Sequence, residues 1–148
     1  MSESLNETQQ HALDFLRAKY KDHADLDPGF RFNDQLFLRY LRARNFNKDK
    51  AITMLEASIQ WRKEFGVEKL DSWMDTVKRE GATGKVYVRG VDKQGHAIMY
   101  MKPVKSDSKI HDDNLKHLVY NLERAVRTMD ANNSNVEKIL LLIDYRGK

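Results

Sequence analysis

The stretch KVYVRGVDKQGHAIMYM, residues 85–101, decides the fold of the second half of the chain. It contains two runs rich in β-forming residues, 85–89 and 97–101, separated by the polar turn 92–95 (DKQG). A turn signal between two such runs is the pattern of a β-hairpin. We expect the hairpin to end at Pro103, because proline cannot donate a backbone hydrogen bond to a ladder.

The residues after the hairpin predict a helix and a further strand. Asp112 is expected to cap the helix, and ILLLI at 139–143 is an apolar run typical of a strand buried on both faces of a parallel sheet. With the polar loop 132–135 before that run, strand, helix and strand predict a right-handed βαβ crossover. The apolar residues of the helix recur at helical spacing: Leu115, Leu118, Val119, Leu122, Val126 and Met129.

The residues before the hairpin predict helices. The first helix begins at a capping box formed by Asn6 and Gln9, and the DPG sequence at 27–29 breaks it. The second is expected to begin near Asn33 or Asp34. The apolar residues of the first helix share one face: Leu5, Ala12, Leu13, Leu16 and Tyr20.

Two more helices complete a small bundle. Asn47 is expected to cap the third helix, which runs to about Phe65 and stops at Gly66, and a short helix is expected within 69–79. The predicted fold class is therefore α/β, with a helical bundle followed by a β-hairpin and a βαβ crossover. We place the bundle at residues 1–80 and an incomplete α/β domain at residues 81–148.

Composition excludes several classes of protein. The chain has 148 residues, of which 41% are hydrophobic and 32% are charged, as in a globular protein. It contains no cysteine, which excludes disulfides and thiolate metal sites, and no apolar run approaches the ~20 residues of a membrane span. No signal peptide is visible, so we expect a cytoplasmic protein.

Charge and motifs narrow the functions further. The net charge is +4, and residues 31–50 carry six basic and two acidic groups. Such a segment predicts weak attraction to an anionic membrane surface and no binding to a nucleic acid. No histidine pair has helical ligand spacing, and no phosphate loop or nucleophile elbow occurs, so we expect no metal, no cofactor and no enzyme activity. A nucleotide hydrolase, suggested only by the apolar strand that ends in Asp144, is the least favoured alternative.

One arginine falls on the apolar side of the second helix. At 100° per residue, Arg44 lies in the middle of the face formed by Leu36, Phe37, Tyr40 and Leu41. An unpaired charge there would be very costly if buried. Three interpretations are open: the guanidinium caps the last carbonyls of the helix, pairs with a carboxylate, or holds a phosphate.

Four short motifs follow one another along the chain. LFLRYLRARNF at 36–46 and WRKEFG at 61–66 lie in predicted helices, GVDKQGH at 90–96 forms the hairpin turn, and IDYRG at 143–147 ends the last strand. In composition and order these motifs resemble the N-terminal helices, the opening hairpin and the "DxxG" strand end of the CRAL-TRIO lipid-transfer family. The resemblance implies a partial CRAL-TRIO fold, with a helical bundle beside an α/β domain whose sheet floors an apolar pocket.

The resemblance also implies a phospholipid as the partner and exchange of membrane phospholipids as the function, with phosphatidylinositol favoured. The headgroup arginine of the family corresponds to Arg44, and Asn45 stands where the family commonly has lysine. The phosphatidylcholine-binding tyrosines of the family correspond to Val88 and Met99, while Tyr100 lies one residue away and therefore on the opposite face. Ordinary sheet packing of these hairpin residues is the alternative.

The end of the chain departs from the family pattern. Family members continue past the "DxxG" motif with the rest of the pocket and a gating helix, so we expect a truncated domain that does not transfer lipid alone. The resemblance implies a cytoplasmic protein that associates peripherally and transiently with membranes. The alternatives are a structural or protein-interaction module without lipid and a homodimer paired through the C-terminal strand edge.

Overall fold

The structure is a computed structural model that describes residues 4–26, 30–131 and 136–147. The chain divides into two compact units, Met1–Glu68 and Lys69–Lys148, and each is described by itself below. The domain boundary between residues 80 and 81 that the sequence suggests stays a prediction.

The first unit is a bundle of three helices, α1 (Glu7–Tyr20), α2 (Asp34–Ala43) and α3 (Lys48–Phe65). The capping box of Asn6 and Gln9 is confirmed, since each side chain binds the other residue's backbone N–H. One core cluster joins the three helices, and its buried members are Ala12, Leu13, Leu16, Tyr20, Phe30, Leu36, Phe37, Leu41, Ala51, Leu55 and Ile59.

The ends of α2 and α3 lie where their sequence signals predict. The side chains of Asn33 and Asn47 accept hydrogen bonds from the backbone N–H groups of Leu36 and Lys50 and so cap the two helices. Gly66 ends α3 with φ = 82°, a left-handed conformation that costs glycine little. The predicted helix break at 27–29 lies outside the described residues.

The second unit begins with helices. A 3₁₀ segment at Val67–Trp73 leads into α4 (Met74–Gly81), where the sequence predicted one short helix over 69–79. The hairpin strands are β1 (Val86–Val91) and β2 (Ala97–Met101), and a 3₁₀ turn at Pro103–Lys105 follows them. The predicted end of the hairpin at Pro103 is confirmed.

The long helix α5 (His111–Ala131) and the strand β3 (Leu140–Ile143) complete this unit. The sheet order is β1-β2-β3, with β1 and β2 antiparallel and β2 and β3 parallel. The hairpin and the βαβ connection are therefore confirmed, and the right-handed sense of the crossover stays a prediction. Helix α5 packs against α4 and both hairpin strands, so the core of this unit lies between α5 and one sheet face.

Two predictions for this part of the chain are wrong. The strand at 139–143 is not buried on both faces: β3 begins at Leu140 and its four side chains are all exposed by about two fifths or more. Its only partner among the described residues is β2, so one edge and much of both faces have no cover. Asp112 does not cap α5, because the helix already begins at His111 and Asp112 lies in its first turn. A carboxylate there still favours the positive end of the helix dipole.

The structure describes no helix that could cross a bilayer: across the ranges given above, no helix combines the required length with sufficient hydrophobicity.

Candidate functional site

The two candidate headgroup residues of the first unit lie at the end of α2. Arg44 is the first residue after the helix, and Asn45 and Phe46 follow with positive φ angles of 53° and 60°. The backbone N–H of Phe46 binds the carbonyl of Leu41 at 2.7 Å, and that of Asn45 binds Arg42 at 3.3 Å. These two bonds form a Schellman motif with asparagine at its left-handed position.

The inward direction that helical periodicity predicted for Arg44 is wrong. The helix ends at Ala43, so the 100° rotation per residue no longer applies one position later, and the Arg44 side chain is exposed. Its Nη1 donates to the carbonyl oxygen of Ala43 at 3.2 Å, which matches the capping interpretation. An exposed guanidinium of this kind still keeps donors free for an anion.

Arg44 borders an open depression of about 450 Å³ on the surface of the first unit. Its polar lining combines the cations Arg44 and Lys50 with the carboxylate of Asp49 and the hydroxyl of Thr53. The two cations exceed the single carboxylate, so the charged lining of the depression has an excess of one positive charge. Its apolar lining is formed by Met54 and Ala57.

A second arginine of α2, Arg39, has a buried side-chain nitrogen that helical periodicity did not predict. The sequence places Arg39 on the solvent side, but the structure buries it in part, and its Nε has no hydrogen-bond partner within the described residues. An unsatisfied buried donor costs about 1–3 kcal/mol. Helical periodicity did not predict this atom, because it places Arg39 on the solvent side of α2.

Val88 and Met99, the candidate ligand positions of the hairpin, are core residues of the second unit. They are cross-strand partners and only 6% and 1% exposed. Both belong to one cluster with Ala97, and with Ala125 and Met129 of α5. The packing interpretation is therefore the one that the geometry favours for these two side chains.

Tyr100 lies on the other face of the sheet, as the alternation of strands predicts. It is the register partner of Tyr87, and the two rings stack with centroids 4.9 Å apart. On its other side Tyr100 pairs with Leu142, and Ile98 pairs with Leu140. This face, hereafter the tyrosine face, thus presents two aromatic rings beside three aliphatic side chains.

The predicted site residues of the two units thus form two separate groups. Arg44 and Asn45 are neighbours in the first unit, while Val88 and Met99 are in contact in the second. Tyr100 belongs to the second unit, on the sheet face opposite to Val88 and Met99.

A buried polar cluster in the second unit was missed by sequence reasoning. The Nζ of Lys85 donates to Glu80 at 2.8 Å and to Asn114 at 2.9 Å, and Lys85 is 3% exposed. Lys85 holds the pKa of Glu80 below its usual range, mainly through this hydrogen bond. The nearby His117 is also buried, and its pKa is lowered by burial and by the charge of Lys85.

The described residues contain no group of three or more histidine and acidic side chains that could hold a metal ion. Two family models match the chain in sequence order: the CRAL/TRIO N-terminal domain at residues 7–57 and the CRAL/TRIO domain at residues 81–148. The first range covers most of the helical bundle, and the second covers the hairpin, α5 and β3.

The chain belongs to the CRAL/TRIO family. Similar proteins include a CRAL-TRIO domain-containing protein of Schizosaccharomyces pombe, 34% identical over 76% of this chain. Patellin-2 of Arabidopsis thaliana is 31% identical over 78% of the chain, and the phosphatidylinositol transfer protein PDR17 of Saccharomyces cerevisiae is 31% identical over 83%. The chain spans 11%, 18% and 39% of the lengths of these three relatives.

Two CRAL/TRIO motifs of the second unit are turns closed by aspartate. In the hairpin turn, Asp92 accepts hydrogen bonds from the backbone N–H of Gln94 and His96, and its Oδ2 lies 2.8 Å from Nδ1 of His96. After β3, Asp144 binds both the backbone N–H and the guanidinium of Arg146. The hydrogen bond from Arg146 holds the pKa of Asp144 well below its usual range. Both aspartates thus have structural roles in this chain.

Proposed function

We propose that this chain forms part of a phospholipid-binding and transfer protein, with phosphatidylinositol as the favoured ligand. The observation that carries the proposal is the match of both CRAL/TRIO models in sequence order across the bundle and the α/β unit. One similar protein is named a phosphatidylinositol transfer protein, which favours this lipid over others.

In this proposal Arg44 contacts the phosphate of the lipid headgroup. The side chain is exposed, and it lies beside Lys50 in a depression where cations outnumber carboxylates. A guanidinium can bind a phosphate through two parallel hydrogen bonds, which supports the choice of this residue. Asn45 acts indirectly, because its left-handed backbone holds the turn that presents Arg44.

Independently, within the second unit, the tyrosine face of the sheet is the surface that contacts lipid acyl chains. Tyr100 and Leu142 are register partners on this face, and Leu142 is 45% exposed. Burial of exposed aliphatic surface against an acyl chain is favourable by roughly 25 cal/mol per Å². Val88 and Met99 contribute from the opposite side by fixing the strands against α5.

In this proposal the protein is a lipid carrier and not an enzyme. It acts in the cytoplasm and associates peripherally with membranes. The 148-residue stretch alone does not exchange lipid, because β3 is exposed on both faces and the described sheet cannot enclose two acyl chains. Exchange therefore requires further chain or a partner over β3.

A vesicle exchange assay tests this function. The 148-residue chain and a version extended along its gene are mixed with donor vesicles that contain fluorescent phosphatidylinositol or phosphatidylcholine. We expect transfer of phosphatidylinositol by the extended protein only, reduced by Arg44→Ala and unchanged by Arg31→Ala. Arg31 is the matched control because it is exposed in the same unit and does not line the depression. Absence of transfer of both lipids would refute the proposal.

A strand-paired homodimer is the second candidate, and the open edge of β3 favours it. An exposed strand edge offers unpaired N–H and C=O groups to a second strand. The expected species is a dimer that Leu141→Lys converts to a monomer, since a charge on a flat strand edge opposes pairing. Sedimentation that shows only a compact monomer at high concentration would exclude the dimer.

A further inference from the structure

Three exposed apolar side chains lie in the segments that follow β2 and β3. Val104, Ile110 and Tyr145 are 47%, 58% and 64% exposed. Val104 and Tyr145 lie just past the carboxyl ends of β2 and β3, and Ile110 directly precedes α5. Large exposed apolar groups set among charges mark interaction sites on soluble proteins. We call this the carboxyl-edge surface and define it by Lys102, Val104, Lys105, Lys109, Ile110 and Tyr145.

Contacts between the segments that follow β2 and β3 hold this surface together. The backbone N–H of Asp144 binds the carbonyl of Met101 at 2.8 Å, so both chains leave the sheet side by side. Gly147 then packs on Val104 so closely that a β-carbon at Gly147 would lie 3.2 Å from its Cγ2. The segments that follow β2 and β3, 43 positions apart in sequence, therefore lie against each other.

The charge of this unit is complementary to an anionic bilayer. Residues 1–68 contain 11 basic and 11 acidic residues, whereas residues 69–148 contain 15 basic and 11 acidic residues, so the whole net charge of +4 belongs to the second unit. Lys105 and Lys109 are exposed and form no ion pair within the described residues. The acidic side chains close in sequence to Lys109 or Tyr145 are Asp107 and Asp112, which are exposed, and Asp113 and Asp144, which are paired with Arg79 and Arg146.

We propose that the carboxyl-edge surface is the place where this protein docks on an anionic phospholipid bilayer. Val104 and Ile110 enter the interface, Tyr145 lies at the level of the headgroups, and the lysines bind lipid phosphates. The inference deepens the proposed function and rests on it for its biological purpose, since a carrier must meet the membrane whose lipid it exchanges.

The absence of cysteine from the chain allows a direct test. Val104→Cys and, as the control, Lys93→Cys are labelled with an environment-sensitive fluorophore and mixed with vesicles of phosphatidylcholine alone or with phosphatidylserine. Lys93 is exposed in the β1–β2 turn, at the amino end of β2 and therefore at the opposite end of this strand from Val104. Docking as proposed shifts the emission of the label at position 104 to the blue, only with phosphatidylserine, and leaves the label at position 93 unchanged.

Charge reversal provides the second arm of the test. Lys105→Glu with Lys109→Glu is compared with Lys93→Glu with Lys138→Glu, a pair that changes the net charge equally at the amino ends of β2 and β3. The first pair is expected to weaken vesicle binding by about tenfold or more and the second pair much less, because attraction to the bilayer falls off within a Debye length. High salt should remove the difference.

The docking surface would be overturned by a blue shift at position 93 that equals that at position 104, or by equal loss of binding for both charge pairs. Binding to vesicles without any shift at position 104 would overturn it as well. The experiment distinguishes failure of the docking surface from failure of the proposed function. If the protein docks through position 104 but does not load lipid, the carrier function is refuted. If it exchanges lipid without a shift at position 104, only the docking surface is refuted.

Discussion

The ammonium of Lys85 lies 2.8 Å from a carboxylate oxygen of Glu80, and both side chains are buried in the second unit. Lys85 immediately precedes β1, and Glu80 lies in the last turn of α4, so the ion pair joins the helix to the sheet. Asn114 of α5 accepts a further hydrogen bond from the same ammonium. One buried cation thus connects three elements around which this unit is assembled.

We expect Lys85→Met to lower the free energy of unfolding by about 3 kcal/mol, because it leaves Glu80 buried without its partner. Lys93→Met, at an exposed turn position, is the control and should change the free energy by less than about 0.5 kcal/mol. Urea unfolding followed by the fluorescence of the buried Trp73, in a Trp61→Phe background, measures both. A loss below about 1 kcal/mol for Lys85→Met would show that the pair contributes little.

Acid should destabilise the second unit through His117. Burial and the charge of Lys85 lower its pKa below the ordinary value of 6.5, with Glu80 opposing in part. The Nδ2 of Asn121 donates to the backbone carbonyl of His117 and lies 3.2 Å from its Nε2, and because an amide nitrogen only donates, the neutral ring fits best. Because the unfolded chain takes up the proton first, stability is complete above pH 6.5 and falls as the pH drops below that value.

His117→Gln should therefore flatten the dependence of the unfolding midpoint on pH between neutral pH and the range where carboxylates titrate. His11→Gln, at an exposed position of α1, is the matched control and should leave the dependence unchanged. Thermal unfolding at a series of pH values gives the comparison. Equal slopes for the wild type and His117→Gln would contradict the role of this side chain.

Asn45 should act on stability and not on ligand contact. Its φ is 53° at the left-handed position of the Schellman motif. Glycine adopts this conformation more readily than asparagine does, and alanine adopts it less readily. We expect Asn45→Gly to stabilise the first unit by up to about 1 kcal/mol and Asn45→Ala to destabilise it by a similar amount. Neither variant should alter headgroup affinity beyond its effect on folding, and a large loss of affinity in the stable glycine variant would show direct contact.

The two faces of the sheet should respond differently to truncation. Met99→Ala removes a side chain that is 1% exposed and packed under α5, so it should cost about 2–5 kcal/mol of stability. Tyr100→Leu, on the tyrosine face, should cost less stability and should weaken lipid binding more. Chemical denaturation and lipid loading of the same two proteins provide the test. The opposite ranking would place the lipid on the face toward α5.

Local patterns predicted the elements of this fold well. The capping asparagines, Gly66 and the hairpin turn all act within a few residues of their own position, so the sequence alone reveals them. The parallel pairing of β3 with β2 was also predictable, because two strands of one sheet that are joined by a helix usually run parallel.

Burial could not be predicted in the same way. The apolar run at 139–143 reads as a doubly covered strand, yet cover depends on neighbours that the described residues do not provide. The prediction that Arg44 points inward was wrong for a different reason. The helix ends at Ala43, before Arg44, and the left-handed residues Asn45 and Phe46 follow, so helical periodicity does not describe the direction of this side chain. The ion pair of Lys85 and Glu80 escaped notice because pairing between elements leaves no periodic signal.

The most direct test of the lipid-binding account is a titration of the 148-residue chain with short-chain phosphatidylinositol, followed by NMR of the arginine side chains and the leucine methyl groups. We predict that the Nε–H resonance of Arg44, assigned with Arg44→Lys, and the methyl groups of Leu142 each shift and saturate, while Arg31 does not move. Short-chain phosphatidylcholine should shift Leu142 with a smaller effect on Arg44. If excess phosphatidylinositol leaves both Arg44 and Leu142 unchanged, neither the phosphate contact nor the apolar contact exists, and the account is wrong.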